Sequence, residues 1–201
     1  MIDIRHEIEK QRTLSDPGIM QYPDELYPFM QFMVDNDVKS YLEIGVKRGH
    51  MPIFIKKVLG IPKVYACDIN YPEQFKEHNP DIEFLQADSN SKKYAKWRKK
   101  IGHIDMVLID ADHDYKPAKR DYLREVSFPH RFIAMHDIAN SGYPKLTKLW
   151  RNTIKGDKIE FVNKDPNARL LCVEHKDKSY IANYRRKYGT SCGIGICFQN
   201  N

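Results

Sequence analysis

Acids and histidines stand in this chain where apolar runs end, so that chemistry-bearing side chains follow buried segments. Tyr41-Leu42-Glu43-Ile44-Gly45-Val46-Lys47-Arg48-Gly49 closes one run on an acid and continues into Gly-x-x-x-Gly. With no Cβ at positions 45 and 49, such a loop can bring its backbone close to a ligand. Val64-Tyr65-Ala66-Cys67-Asp68 ends a second run on an acid. An acid about 20 residues beyond a glycine loop is where an open α/β sheet binds a ribose. Further runs end in Gln86-Ala87-Asp88, in Ile109-Asp110-Ala111-Asp112-His113-Asp114-Tyr115 and in Met135-His136-Asp137. The loop and Asp68 together indicate a site for a nucleoside-bearing cofactor.

What the loop lacks narrows the cofactor. A dinucleotide loop reads Gly-x-Gly-x-x-Gly, and here Lys47 takes the middle glycine's place and would crowd a pyrophosphate. No Gly-x4-Gly-Lys-Ser/Thr loop is present either. Glu43, directly before the turn, suits a cationic or hydrogen-donating head group rather than phosphates.

The elements that must position these residues follow from the apolar pattern. Strands are expected over 40–45, 63–68, 82–86, 104–110, 132–137, 158–163 and 193–199. Helices are expected near 51–59, 90–101, 115–126 and 144–155, with Pro52 in the first turn of the first of them. This alternation implies a parallel sheet covered on both faces, with ligands beyond the carboxyl ends of its strands. Residues 1–38 read as an amphipathic helical segment broken near Ser15-Asp16-Pro17-Gly18, with Leu26, Phe29, Met30 and Met33 at helical spacing. The last two strands are separated by about 30 residues, long for a hairpin loop. The stretch 164–192 is therefore expected to be an insert, facing the substrate as a lid.

At 201 residues the chain fits one domain with a substantial core. No apolar run approaches a membrane span. The N-terminal Met1-Ile2-Asp3-Ile4-Arg5-His6-Glu7 lacks a signal-peptide core, so cytoplasmic residence is expected. The four cysteines, 67, 172, 192 and 197, form no Cys-x-x-Cys pair and are expected as free buried thiols. A zinc set built from Cys172, His175, Cys192 and Cys197 is the alternative, at a spacing that matches no common zinc knuckle. The net charge of +6 is uneven. Lys92, Lys93, Lys96, Arg98, Lys99 and Lys100 crowd one helix, while Lys176, Lys178, Arg185, Arg186 and Lys187 interleave with Tyr180, Tyr184 and Tyr188. Basic residues among aromatics can track a nucleic-acid strand. The plainer reading is a solvated helix face and a tyrosine-anchored surface loop.

The Glu43–Gly49 loop with Asp68 resembles the first motif of class I S-adenosylmethionine-dependent methyltransferases. Asp110-x-x-His113-x-Tyr115, with His136-Asp137 at a later strand end, resembles a subgroup that includes many small-molecule and sugar O-methyltransferases. The resemblance covers roughly residues 20–140 and the last strand. It implies a Rossmann-like, seven-stranded, mostly parallel sheet with an antiparallel last strand and helices on both faces. It implies S-adenosylmethionine as cofactor, with Glu43, Gly45 and Gly49 flanking the methionine part. Asp68 would bind the ribose hydroxyls, Asp88 would lie near the adenine amino group, and Asp110 would add a cofactor contact. Divalent-dependent relatives hold a metal at the positions of Asp110, His136 and Asp137, which implies Mg²⁺ or another divalent cation. Histidine at 136 departs from their usual acid and tilts the choice toward Mn²⁺, Fe²⁺ or Zn²⁺. A second departure is Phe128-Pro129-His130-Arg131, where the family has Pro-Gly-Gly.

Methyl transfer to a hydroxyl needs oxygen, methyl and sulfur in line and a poor nucleophile deprotonated. His113 is the candidate base, with Asp112 orienting it and Asp110 as its catalytic partner through a bound metal. Absent motifs narrow the acceptor. The Asn/Asp-Pro-Pro-aromatic tetrapeptide of exocyclic amine methylation is not present, and no cysteine follows a proline as cytosine C5 chemistry requires. A Lys-Asp-Lys-Glu tetrad could draw on Asp110 and on Lys145 or Lys148, but the last strand has no glutamate. A small hydroxylated acceptor, a sugar or other metabolite, is the expected partner. The alternatives are an RNA-directed methyltransferase and a cofactor-binding module without catalysis.

Overall fold

A computed structural model gives the protein's structure and describes residues 3–11, 18–78, 81–171 and 178–198. The strands are β1 Ser40–Ile44, β2 Lys63–Asp68, β3 Glu83–Gln86, β4 Ile104–Ile109, β5 His130–His136, β6 Lys158–Phe161 and β7 Ile194–Phe198. The helices are α1 Ile4–Lys10, α2 Pro23–Asp35, α3 His50–Phe54, α4 Glu73–His78, α5 Lys92–Ile101, α6 Tyr115–Val126, α7 Pro144–Asn152 and α8 Lys178–Tyr188. α3 runs on into a π-helical turn, Ile55–Leu59, so the helix expected over 51–59 changes its winding midway.

The sheet order is β3-β2-β1-β4-β5-β7-β6. β1 to β5 pair in parallel, and β7 lies antiparallel to both β5 and β6. β1 and β4 sit at the centre and are buried at every position, as a strand covered on both faces must be. Alternate residues feed two cores. Tyr41, Met106, Leu108, Phe132 and Ala134 pack with Leu26, Phe29, Met30 and Met33 of α2 and with Met51 and Phe54 of α3. Leu42, Ile44, Val107, Ile109, Ile133 and Met135 pack on the opposite face with Tyr94, Ala118, Leu146, Leu149 and Trp150 of α5, α6 and α7. The expected sheet, its antiparallel last strand and its helices on both faces are all present.

Two features differ from expectation. The basic, tyrosine-rich stretch read as a surface loop forms α8, although β6 and β7 still pair as neighbours and α8 is no crossover. Basic and aromatic residues mask helical periodicity there, because few positions are purely apolar. Arg98, read with the basic surface of α5, is fully buried, while Lys92, Lys93, Lys96, Lys99 and Lys100 are exposed. Its Nε donates to Glu125 Oε2 at 2.8 Å, and the other carboxylate oxygen accepts from Tyr94 OH at 2.6 Å. The guanidinium also donates to the Gly102 and Pro129 carbonyls, so one buried ion pair ties α5, α6 and the turn into β5 together. Among the described residues, no helix is long and apolar enough to cross a membrane.

Candidate active site

Register alone assembles the site. Ile44 pairs with Cys67 on one side and Ile109 on the other, and Ile109 pairs with Met135. The next residue on each strand therefore lies in one row along the carboxyl edge: Asp68, Gly45, Asp110, His136. Adjacent strands are about 4.8 Å apart. Asp88 follows at the far end, two residues beyond Gln86, the partner of Asp68.

The loop after β1 turns through left-handed backbone at Gly45, Lys47 and Gly49. A Cβ on Gly45 would stand 2.4 Å from the Asp110 carbonyl and the Ala111 Cα, and one on Gly49 would stand 2.7 Å from the Phe75 ring. The Cβ side of both glycines is thus filled by protein. The glycines let the loop close on β4 and α4. The loop's amides are also committed. Gly45 donates to the Cys67 carbonyl at 2.9 Å, and Gly49 to the Val46 carbonyl at 2.8 Å. Val46 and Lys47 both donate to Asp68 Oδ2, at 2.9 and 3.0 Å. Among the described residues, Asp68 Oδ1 accepts the Asn70 amide alone, at 2.9 Å, and retains capacity for a hydroxyl. Glu43 lies beneath the loop, 3% exposed, accepting from Tyr41 OH at 2.7 Å. Burial holds its carboxyl well above the usual carboxylate range. Asp88 accepts the Asn90 amide at 2.7 Å in its own turn.

Asp110, His113, His136 and Asp137 form one cluster. His136 Nδ1 is 3.0 Å from Asp110 Oδ1 and 3.4 Å from Asp137 Oδ2. His113 Nε2 is 2.8 Å from the same Asp137 oxygen and 3.8 Å from Asp110 Oδ1. The carboxylate beside His113 is thus that of Asp137, whereas the expected partner, Asp112, accepts the amide of Asp114 at 2.8 Å. Burial alone would lower both imidazole pKa values. The two aspartates outweigh it, raising His113 and raising His136 well above its ordinary value. Burial would raise Asp137, but His136, His113 and Asn140 hold it far below the carboxylate range. Asp137 sits in left-handed backbone at φ 60°, rare for a residue with a side chain.

Sequence reasoning missed Tyr143, Asn140 and the place of Cys192. Tyr143 stacks on the His113 ring at 4.1 Å between centroids and 23° between planes. Tyr188 lies 5.6 Å from Tyr143, and Tyr184 4.7 Å from Tyr188, so α8 extends the stack over this end of the sheet. Asn140 donates to Asp137 Oδ1 at 2.7 Å. Of the alternative zinc set, Cys197 bonds the Ile133 carbonyl in mid-strand, and Cys172 and His175 lie outside the described residues. Cys67, Cys192 and Cys197 are free and buried as expected. Among the described residues, the donors of Asp110, His113 and Asp137 lie within 4.8 Å of one another, as do those of His136, Asp137 and Cys192.

A parallel sheet whose last strand inserts antiparallel between its neighbours defines the class I methyltransferase fold. Solved structures bear this out. The MycE methyltransferase from the mycinamycin biosynthetic pathway, in complex with Mg and SAH, aligns over 73% of this chain at 17% identity with a TM-score of 0.55. The chain spans only 42% of MycE. The plantazolicin methyltransferase BpumL, in complex with SAH, aligns over 89% of this chain and 82% of its own at 13% identity, TM-score 0.51. The methyltransferase domain of bacterial CtHen1 aligns over 88% of this chain and 98% of its own at 10% identity, TM-score 0.58. At these identities the likeness is one of fold. No family model matches the sequence, and no curated protein does.

Proposed function

We propose that the chain is an S-adenosylmethionine-dependent methyltransferase acting on a hydroxyl of a small acceptor such as a sugar. The observation that carries this reading is the 2.8 Å His113–Asp137 contact beside the row of Asp68, Gly45 and Asp110. Asp68 would hold the ribose through Oδ1 while Oδ2 keeps the loop closed. Glu43, Gly45, Gly49 and Asp110 would shape the methionine side, and Asp88 the adenine side. When bound there, S-adenosylmethionine would supply the methyl group, the acceptor oxygen gaining the new C–O bond as the C–S electron pair leaves with a neutral thioether. His113, its Nε2–H given to Asp137, presents Nδ1 to the hydroxyl and takes its proton. Asp137 holds the ring and stabilises the imidazolium that results.

A second reading adds a divalent cation, supported by the clustered donors of Asp110, His113 and Asp137 and by the Mg bound to MycE. Asp110, His136 and Asp137 are the ligands that the resemblance implies. Such a cation would position the hydroxyl and lower its pKa. If His113 also became a ligand through Nε2, its Nδ1 would carry the proton and could not act as base.

Calorimetry with S-adenosylhomocysteine, then labelled methyl transfer to a panel of hydroxylated acceptors with and without EDTA, tests both. Binding and EDTA-resistant transfer are expected for the His113–Asp137 pair, and transfer abolished by EDTA for the metal version. No binding of S-adenosylhomocysteine ends the proposal. Transfer to RNA that falls steeply with salt would replace the small acceptor with a polyanion.

A further inference from the structure

Cys192 reaches the carboxyl edge because β7 runs backwards. In a parallel strand, residue entry lies at the opposite edge of the sheet. β7 is antiparallel to β5, with His136 paired to Ile194, so the residues entering β7 meet those leaving β5. The Ile138 amide donates to the Gly193 carbonyl at 3.3 Å and the Ala139 amide to the Cys192 carbonyl at 2.9 Å, extending that pairing past the strands. The Cys192 thiol is thereby held beside His136 and Asp137.

The three side chains offer nitrogen, oxygen and sulfur donors within 4.8 Å of one another, and all are buried: His136 is 6% exposed, Asp137 4% and Cys192 2%. His136 is oriented as a ligand would be. Its Nδ1 is engaged by Asp110 at 3.0 Å, while Nε2 is buried with no hydrogen-bond partner among the described residues. A carboxylate on one ring nitrogen fixes the tautomer and leaves the lone pair of the other for a metal. Asn140 adds an outer support, its Nδ2 lying 2.7 Å from Asp137 Oδ1 and 3.9 Å from Cys192 Sγ.

We infer that His136, Asp137 and Cys192 form a buried site for one transition-metal cation of the Zn²⁺, Fe²⁺ or Co²⁺ class, joining the end of β5 to the entrance of β7. A thiolate and an imidazole select such ions, whereas Mg²⁺ prefers an all-oxygen octahedron. The site differs from the Asp110, His113 and Asp137 set in its sulfur donor and its depth. It stands whether or not the chain transfers methyl groups.

Cobalt reads a thiolate ligand directly. Co²⁺ added to the metal-stripped protein should produce an intense near-ultraviolet sulfur-to-cobalt band, together with visible bands of a four-coordinate ion. Equimolar Zn²⁺ should remove both, and a large excess of Mg²⁺ should not. The near-ultraviolet band should vanish in Cys192→Ser and persist in Cys67→Ser and Cys172→Ser. A wild-type chain with no such band overturns the site, as does a band that survives Cys192→Ser or is lost only in Cys172→Ser. X-ray absorption of the zinc-loaded wild type needs no variant. One sulfur at about 2.3 Å with a nitrogen at about 2.0 Å supports the site, and a shell of oxygen and nitrogen alone overturns it.

Discussion

Nε2 of His113 stands 2.8 Å from Oδ2 of Asp137, a residue held at φ 60° at the end of β5. The contact joins the β4–α6 loop to the strand next to it, so ring and carboxylate are positioned by different elements. Positioned proton acceptors contribute about 10²–10⁴-fold to rate. Asp137→Asn and His113→Gln should each lower single-turnover methyl transfer within that range while calorimetric affinity for S-adenosylhomocysteine stays unchanged. Full-rate transfer by either variant removes the pair from the mechanism.

Asp68 has two duties that substitution can separate. Its Oδ2 accepts the Val46 and Lys47 amides, and its Oδ1, which accepts the Asn70 amide, is the proposed ribose contact. Asp68→Ala should lower the thermal midpoint, because two loop amides lose their acceptor, and should weaken S-adenosylhomocysteine binding by about 1–3 kcal/mol. A lowered midpoint with unchanged affinity in titration calorimetry would leave Asp68 as a loop clamp alone.

The Arg98–Glu125 pair is fully buried on both sides, at 2.8 Å. Removing one member leaves the other as an uncompensated buried charge, which costs about 3–5 kcal/mol. Glu125→Ala should destabilise the chain by that amount in urea unfolding, and Arg98→Met with Glu125→Leu should recover most of it. A single variant as stable as wild type would mean that water reaches the guanidinium.

Asp105 opens β4 from the opposite edge of the sheet, accepting the Lys39 and Ser40 amides at 2.8 and 3.1 Å. Burial alone would raise its pKa, but these amides and His103 draw it below its ordinary 3.8. A carboxylate depressed in the folded state adds stability above its unfolded pKa and loses it as pH falls through the folded one. Asp105→Asn should therefore cost about 1–2 kcal/mol at pH 7 through weakened amide acceptance. Its deficit in urea unfolding should shrink as pH drops below the ordinary aspartate range, about pH 4. An equal deficit at acid and neutral pH would assign the effect to packing.

Much of the scaffold was legible because strand signals are local. Val64 to Asp68 and Tyr115 to Val126 form the elements their patterns indicate, and each expected strand appears within two residues of its bounds. Since each acid or histidine follows an apolar run, finding the runs also found Asp68, Asp110 and His136. Illegible features depend on contacts between distant segments. Nothing in Lys-Trp-Arg-Lys-Lys marks Arg98 as buried, for the decision lies with Glu125 and Tyr94. The glycines at 45 and 49 were rightly placed in the loop. Which face of each is crowded depends on Ala111 and Phe75.

The amino-acid pattern by itself determined the alternation of strands and helices, and with it which side chains stand at strand ends. That information is short-range, written in periods of two and of 3.6 residues. Only the tertiary structure decided what those side chains meet. Strand order set Asp110 between Gly45 and His136, and the reversal of β7 carried Cys192 to the same edge. Loop packing gave His113 to Asp137 instead of Asp112. Such pairings cost loop-closure entropy and are chosen by the burial of the whole sheet, which no local stretch encodes.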